Sequence, residues 1–407
     1  MNKIMRRPFT FLLFLLFFTV TAPDLWADEF FYKHAAGDKY RILSSVQEDV
    51  YINRVLSHRA EILNRIAVSV ESERNGLARH RGIFQTAEQA EGAAAGRSFQ
   101  WSREYESVFD RDRLGYITID KQYYMPVVRN VPVFPGRDLK PGDTWTAEGH
   151  ETHDFRTSFG IEEPYVIPFT AEYTFTGYDE WKGKTYPVIA VSYRILDEPP
   201  PVKGTVWPRR ILGSSAEKIY WDSDLGQARG YRENFRMIFE LSNGNIIEYR
   251  GTAEAELLES EEMNKEQLAG EIQKDLEDLG IDDISVRVVD GGVSINLENI
   301  QFGAESAALL PSEQAKLDQI GAILKRYANR DIQVGGHTAL AGGSAASRRR
   351  LSEDRARAVA DYLIGKGVRG ADRILVQGFG AERPLGDNRN EEGRRRNRRV
   401  EITILEN

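Results

Sequence analysis

The sequence predicts an α+β protein in two folded parts. An antiparallel β-rich N-terminal domain, sandwich or half-barrel, is followed by a mixed sheet of βαβα-β order with helices on one face. Three observations carry this. Segments at 166–178, 185–195, 227–241 and 245–257 are rich in aromatic and β-branched residues and separated by short turns, as antiparallel strands are. Beyond residue 263, apolar residues at helical spacing alternate with short β-like runs. Charge divides the chain in the same way. From Asn299 to the end there are 19 Lys and Arg against 14 Asp and Glu, a net of +5; with +2 in residues 1–27, the total of −8 leaves −15 for 28–298.

In chain order, Lys3, Arg6 and Arg7 precede the apolar run 9–20, and Ala27 offers a small residue before a cut. That is the layout of a secretory signal over 1–27. The apolar run falls short of the ~20 residues of a membrane-spanning helix. A chain of 407 residues, 41% hydrophobic, can bury two cores. The absence of cysteine excludes disulfides, thiolate metal sites and a lipid-modified N-terminal cysteine. An exported chain of this charge is a poor nucleic-acid partner, and its basic end suits a carboxylate-bearing polymer outside the cytoplasm.

Residues 28–258 form the first body. Over 51–70, Val55, Ile62, Ile66 and Val70 have helical spacing, but Ile52 and Val68 are β-branched, so helix and strand both stay open. The Ala- and Gly-containing stretch 86–96 reads as an exposed loop. Tyr116 and Thr118 alternate with Ile117 and Ile119, predicting a strand over 113–120. Turns are expected at 179–183 and at Ser242-Asn243-Gly244-Asn245, a hairpin. Pro141-Gly142-Asp143-Thr144-Trp145 reads as a turn entering a strand, with Trp145 filling core. His150 and His153 are three apart but have no further ligands in sequence, so no metal is expected. No nucleophile elbow, phosphate loop or metalloprotease helix occurs, so the reading is no enzyme and no cofactor. Arg232, Asn234 and Arg236 alternate with Glu233, Phe235 and Met237. An outer-membrane barrel needs one wholly apolar face per strand. A soluble periplasmic body is therefore read, with the barrel as its alternative.

Residues 259–280 read as a charged linker passing into a lead-in helix, with Leu268, Ile272, Leu276 and Leu279 at helical spacing and Gly280 as its stop. The domain 281–407 then follows: a hairpin over 284–297 around Gly291-Gly292, a strand at Ile300, a helix over 311–327 and a strand over 331–335. A helix over 351–364, capped by Ser344 or Ser347, and strands over 374–379 and 399–405 complete it. Between its third strand and its basic helix lies a Gly/Ser-rich loop. Loop amides and guanidinium forks both donate to carboxylate oxygens, so this stretch is suited to an anion.

The order of residues there resembles the OmpA-like domains (the family of OmpA, Pal and MotB). Gly336-His337-Thr338, then Leu351-Ser352 and Arg355-Ala356, are similar to that family's G-H-T-D and L-S-x-x-R-A signature. Ile300 and Phe302 with Ser306, Leu309, Pro311 and Leu317 look like its first strand and helix entry. Gly378-Phe379-Gly380 with Pro384, and Asn397-Arg398-Arg399-Val400-Glu401-Ile402, resemble its two later segments. The resemblance implies non-covalent binding of peptidoglycan by its stem peptide. In the family the Asp takes the ammonium of diaminopimelate and the Arg its carboxylate; Arg355 matches that arginine, whose planar fork suits a carboxylate. His337, Thr338, Ala339, Arg348, Leu351, Ser352 and Arg398 are the remaining implied site residues. Three departures stand out. Ala339 replaces the aspartate, the loop is one residue longer, and Arg348 replaces an asparagine. Either the stem peptide carries ornithine or lysine in place of diaminopimelate, the preferred expectation, or wall binding has been lost and the fold docks a protein partner.

Overall fold

The computed structural model describes residues 28–90, 99–202, 206–259, 263–281, 284–289, 291–298, 300, 309–340 and 342–406. The expected signal segment, and Phe302 and Ser306 of the resemblance, lie outside the described residues.

Twelve strands make the β body: β1 (Lys39–Ile52), β2 (Val55–Arg74), β3 (Leu77–Ala90), β4 (Phe99–Asp112), β5 (Ile117–Ile119), β6 (Val128–Arg129), β7 (Thr144–His153), β8 (Tyr165–Trp181), β9 (Lys184–Asp197), β10 (Pro208–Asp222), β11 (Gln227–Leu241) and β12 (Ile246–Glu259). A single helical turn, α1 (Arg156–Phe159), lies between β7 and β8. All pairings within the body are antiparallel, in spatial order β6-β7-β8-β9-β10-β11-β12-β1-β2-β3-β4-β5. The two ends of this curved sheet meet without a ladder: the Ile117 N–H donates to Asn130 Oδ1 at 2.8 Å, and the Phe134 N–H to the Leu114 carbonyl at 2.8 Å. The result is a near-barrel.

Strand alternation sorts the side chains. On β11, Tyr231, Glu233, Phe235, Met237 and Phe239 point inward, while Arg232 and Arg236 pair outside with Glu254 at 2.9 Å and Glu248 at 2.6 Å. The inner core is aromatic, with Phe30, Phe134, Phe175 and Trp221 in mutual contact.

Several expectations need correction. The stretch 51–70, open between helix and strand in the sequence, is strand apart from the Asn53-Arg54 turn, both at positive φ; Ile62, Ile66 and Val70 share one face of β2 because a spacing of four also fits a pleat. Residues 86–90 belong to β3 rather than to a loop, and the rest of 86–96 lies outside the described residues. The strand expected over 113–120 is only three residues long, because the Asp112 carboxylate accepts from the Leu114, Gly115 and Tyr116 N–H groups and holds a turn there. The turn expected at 179–183 shrinks to Lys182-Gly183, both at positive φ. The hairpin turn at 242–245 is present, closed by the Leu241 N–H to the Asn245 carbonyl at 2.8 Å.

The C-terminal part contains α2 (Lys265–Asp278), β13 (Ile284–Val289), β14 (Gly292–Glu298), α3 (Pro311–Lys325), β15 (Ile332–Gly336), α4 (Ala345–Gly365), β16 (Ile374–Gly378), α5 (Glu391–Asn397) and β17 (Arg399–Leu405). Its sheet runs β13-β14-β17-β15-β16, with only the β15–β16 pair parallel. Met263, Leu268, Ile272 and Leu276 pack into the same core as Ile295, Leu317, Val359 and Ile402, so the lead-in helix is built into this part. Asn264 caps α2 through the Gln267 N–H at 3.0 Å.

Helix α4 begins at Ala345, six residues before the expected Leu351, because Ser344 Oγ accepts from the Ser347 N–H at 3.1 Å and starts the helix there. Helix α5 was not expected. Asn390 caps it, and its run of Arg394, Arg395 and Arg396 hides the helical pattern that apolar residues would have shown.

Candidate functional site

Strand β15 delivers the Gly-rich loop to the N-terminus of α4. At Gly336 the backbone passes so near the helix that an added Cβ would lie 1.8 Å from the Ser352 carbonyl oxygen, which only glycine avoids. His337 follows and is buried, its ring stacked on Phe379 with centroids 4.9 Å apart. Its Nε2 is 3.3 Å from Glu401 Oε2, near enough for attraction but not aligned as a hydrogen bond. Burial lowers the His337 pKa against the pull of Glu401, so the imidazole is neutral at physiological pH. The loop is pinned by main chain: the His337 N–H donates to the Arg399 carbonyl at 3.0 Å and the Thr338 N–H to the Gly380 carbonyl at 2.8 Å. Thr338 Oγ1 is buried and has no hydrogen-bond partner among the described residues.

Ala339 is buried, with 5% of its surface exposed. Beyond it, Gly342 and Gly343 take left-handed φ of 60° and 64° to turn the chain into α4. Arg348 Nη1 donates to the Gly342 and Gly343 carbonyls at 2.9 and 2.8 Å, so this arginine ties the loop to the helix. Ser352, fully buried, donates to the Arg349 carbonyl at 2.7 Å and accepts from the Gly380 N–H at 2.9 Å; its hydroxyl is thus committed to joining α4 with the segment after β16. Leu351 beside it is half-buried.

One turn further along α4, Arg355 is half-buried, and its guanidinium feels both desolvation and the positive charge of Arg398; both lower its pKa. An arginine stays charged through such a shift, so two guanidinium groups share one small region. Arg398 donates to Glu391 Oε1 at 2.7 Å.

Four residues that support this region were invisible as such in the sequence. Asn397 is buried and uses its whole amide: Oδ1 accepts from the Leu385 and Gly386 N–H groups at 2.7 and 2.9 Å, and Nδ2 donates to the Gly386 carbonyl and Asn388 Oδ1, both at 2.9 Å. Asn388 Oδ1 in turn accepts from the Leu340 N–H at 2.9 Å, so the closing strand holds the loop through two amides. Glu401 sits between His337 and Arg399, whose Nε donates to it at 2.7 Å, and its pKa is about 2 because these partners outweigh burial. Arg383 lies over the Phe379 ring, 4.0 Å from its centroid. The motif letters were readable; the tertiary partners were not.

Chemically, guanidinium forks of this kind can donate to an anion. Guanidinium groups of Arg355 and Arg398 supply positive charge beside a loop whose third residue, Ala339, offers nothing to an ammonium. In the β body, His153 Nε2 is 2.8 Å from Glu151 Oε2, and no cluster of three metal-ligating side chains occurs among the described residues.

Residues 301–398 match the model of the OmpA family. Residues 301–398 are an OmpA family domain. The chain is 38% identical over 122 residues to the probable lipoprotein YiaD of Escherichia coli, a match covering 30% of this chain and 55% of that protein. It is also 38% identical over 105 residues to the peptidoglycan-binding protein ArfA of Mycobacterium bovis, covering 26% of this chain and 32% of ArfA. The chain therefore spans about half of the first relative and a third of the second. An outer membrane protein structure from Borrelia burgdorferi B31 is 34% identical, with 30% of this chain and 96% of that one covered and a TM-score of 0.25, too low to add to the sequence matches.

Proposed function

We propose that this is a non-catalytic cell-envelope protein that holds peptidoglycan through its OmpA family domain. It thereby fixes a β-rich body, residues 28–258 and joined by 259–280, to the wall from the periplasm or the outer-membrane surface. The observation that carries this is the placement of Arg355. In residue order it matches the family's arginine; it is half-buried on α4 and feels the positive charge of Arg398, so its planar fork supports a stem-peptide carboxylate as ligand. His337, Thr338 and Arg348 hold the loop that leads into α4, and Ser352, beside Leu351, joins α4 to the segment after β16.

Ala339 sets the finer reading. An ammonium at that position finds a methyl group instead of a carboxylate, so a diaminopimelate zwitterion loses half of its grip. A stem peptide with ornithine or lysine has no distal zwitterion and is the substrate we favour. The outward charge of the β body supports a water-exposed rather than a lipid-facing barrel, since an apolar band is required of the latter.

The test is co-sedimentation of the mature chain with purified peptidoglycan of both stem types. We expect preferential pelleting with diamine-type wall and loss of about tenfold or more in affinity for Arg355→Ala, as for removal of a charged hydrogen-bond partner. Equal failure with both walls would assign the domain to protein docking. Preference for diaminopimelate wall would refute the role given to Ala339.

A further inference from the structure

The β body encloses a long cleft. One space of about 710 Å³ is lined by Phe155, Phe159, Phe235, Met237 and Phe239, and a second of about 310 Å³ by Ile42, Ile66, Phe84, Met125 and Val131. The two adjoin, sharing Ser44, Asn64, Tyr193, Tyr231 and Glu233 as wall. Each lies in the range of roughly 300–1,000 Å³ typical of sites that bury a small ligand.

The wall between them is acidic. Register places Glu217 of β10 directly opposite Glu233 of β11, and both line the 310 Å³ space. Like charges directly opposite on one sheet face are destabilising, and an apolar interior has no structural use for them. Glu233 accepts from Ser215 Oγ at 2.7 Å, whereas Glu217 makes no hydrogen bond or ion pair among the described residues. The other charged groups on the cleft are mostly spoken for. Glu151 accepts from Tyr193 and His153, both at 2.8 Å, and Asp154 pairs with Arg156 at 2.7 Å. Arg236 is held by Glu248 at 2.6 Å, and Glu48 lines the far end of the larger space. Arg111 stands beyond Glu217, stacked 4.7 Å from the Tyr32 ring centroid.

We propose that this cleft binds an elongated amphiphile with a positively charged amine head, its ammonium between Glu217 and Glu233 and its chain along the Phe155–Phe239 side. A single cation there answers two carboxyl groups at once, and the aromatic wall takes the hydrocarbon. The protein's own state fits: burial holds both carboxyls above their usual range, Glu233 raises Glu217 further, and Glu151 raises Glu233. An arriving ammonium favours the ionised forms, so binding should release protons.

The experiment is calorimetric titration of the mature chain with dodecylamine, dodecanol and dodecanoate below their aggregation concentrations. The expected result is one molecule of dodecylamine bound per chain, about tenfold or more tighter than dodecanol, as charged hydrogen bonds would give, with dodecanoate weakest. The double variant Glu217→Gln, Glu233→Gln should lose that preference and the accompanying proton release while still binding dodecanol, which shows that its cleft remains formed. Failure of all three probes to bind the natural protein, a preference for dodecanol or dodecanoate, or an amine preference that survives the double substitution would each overturn the proposal.

Discussion

Ala339 shows how much one side chain can decide. Its neighbours are firmly held: His337 stacks on Phe379, the Thr338 N–H is tied to the Gly380 carbonyl, and Gly336 passes close to the Ser352 carbonyl of α4. Only the acceptor for an ammonium is missing. We expect Ala339→Asp to raise affinity for diaminopimelate-type wall by about tenfold, the order given by one charged hydrogen bond. Because the new carboxylate would be buried without a partner, the free variant should also unfold at lower temperature, with part of the loss recovered on adding wall fragments. Co-sedimentation with both wall types and thermal melts check this; an unchanged wall preference would remove Ala339 from specificity. The sequence made this residue visible because a motif position was empty. It could not show that the position is buried.

At the scale of elements, the site is a junction of three segments: the loop after β15, the start of α4, and the turn from β16 into α5. Asn397 joins the last of these to the first through Asn388. Asn397→Ala would leave the Leu385 and Gly386 N–H groups without their acceptor, at about 1–3 kcal/mol for each buried group left unsatisfied. The expected outcome is a lower unfolding midpoint of the C-terminal domain and weaker wall binding, because Asn397 directly precedes Arg398 and ties its segment to the loop. Chemical denaturation followed by tryptophan-independent circular dichroism, together with co-sedimentation, reads both. Element types in this domain were largely legible because apolar spacing switches cleanly between helix and strand. The true start of α4 was less so, since Ala345 to Arg350 carries no apolar pattern and the start depends on a serine cap. In the β body the long strands hid their boundaries, because Asp112 and the positive-φ pairs Asn53-Arg54 and Lys182-Gly183, not composition, end them.

At the scale of the molecule, the two parts are clasped. Asp331, buried at the start of β15, accepts from Arg41 (3.3 Å) and Arg65 (3.0 Å) of the β body and from Arg373 (2.8 Å) of its own domain. Leu63 and Ala87 pack against Leu375 beside it, and the start of β4 pairs in parallel with the free edge of β16. Removing the central charge leaves arginines buried and unanswered, so Asp331→Asn should cost about 3–5 kcal/mol. Calorimetry should then resolve two separate transitions, where a single coupled transition is expected of the natural chain. The pH dependence has different sources in the two parts. Asp331 and Glu401 titrate below their unfolded values, so their stabilisation is present above those values and is lost on acidification; for Glu401 the window runs from 4.5 down to about 2. Glu48, raised to about 7 by burial and by Glu88, contributes stability that is present below 4.5 and lost as pH rises through 7. From pH 7 to 5 the OmpA family domain should therefore loosen, because burial opposes the charging of His337, whereas in the β body the gain at Glu48 is offset by buried His34 and His80, held down at about 3 and about 4. Site-resolved hydrogen exchange at pH 7 and pH 5 distinguishes them.

The sequence by itself determined the division into a β-rich part and an OmpA family domain, the arginine at 355 and the empty position at 339, because these are matters of local period and of residue order. Tertiary structure alone decided the rest. Glu217 and Glu233 are sixteen positions apart in the chain and become neighbours only by the β10–β11 register. Asp331 meets Arg41 and Arg65 only because the outer face of β1 and β2 docks on the second sheet. Contacts between residues distant in sequence depend on how sheets close and pack, and no local pattern encodes that closure.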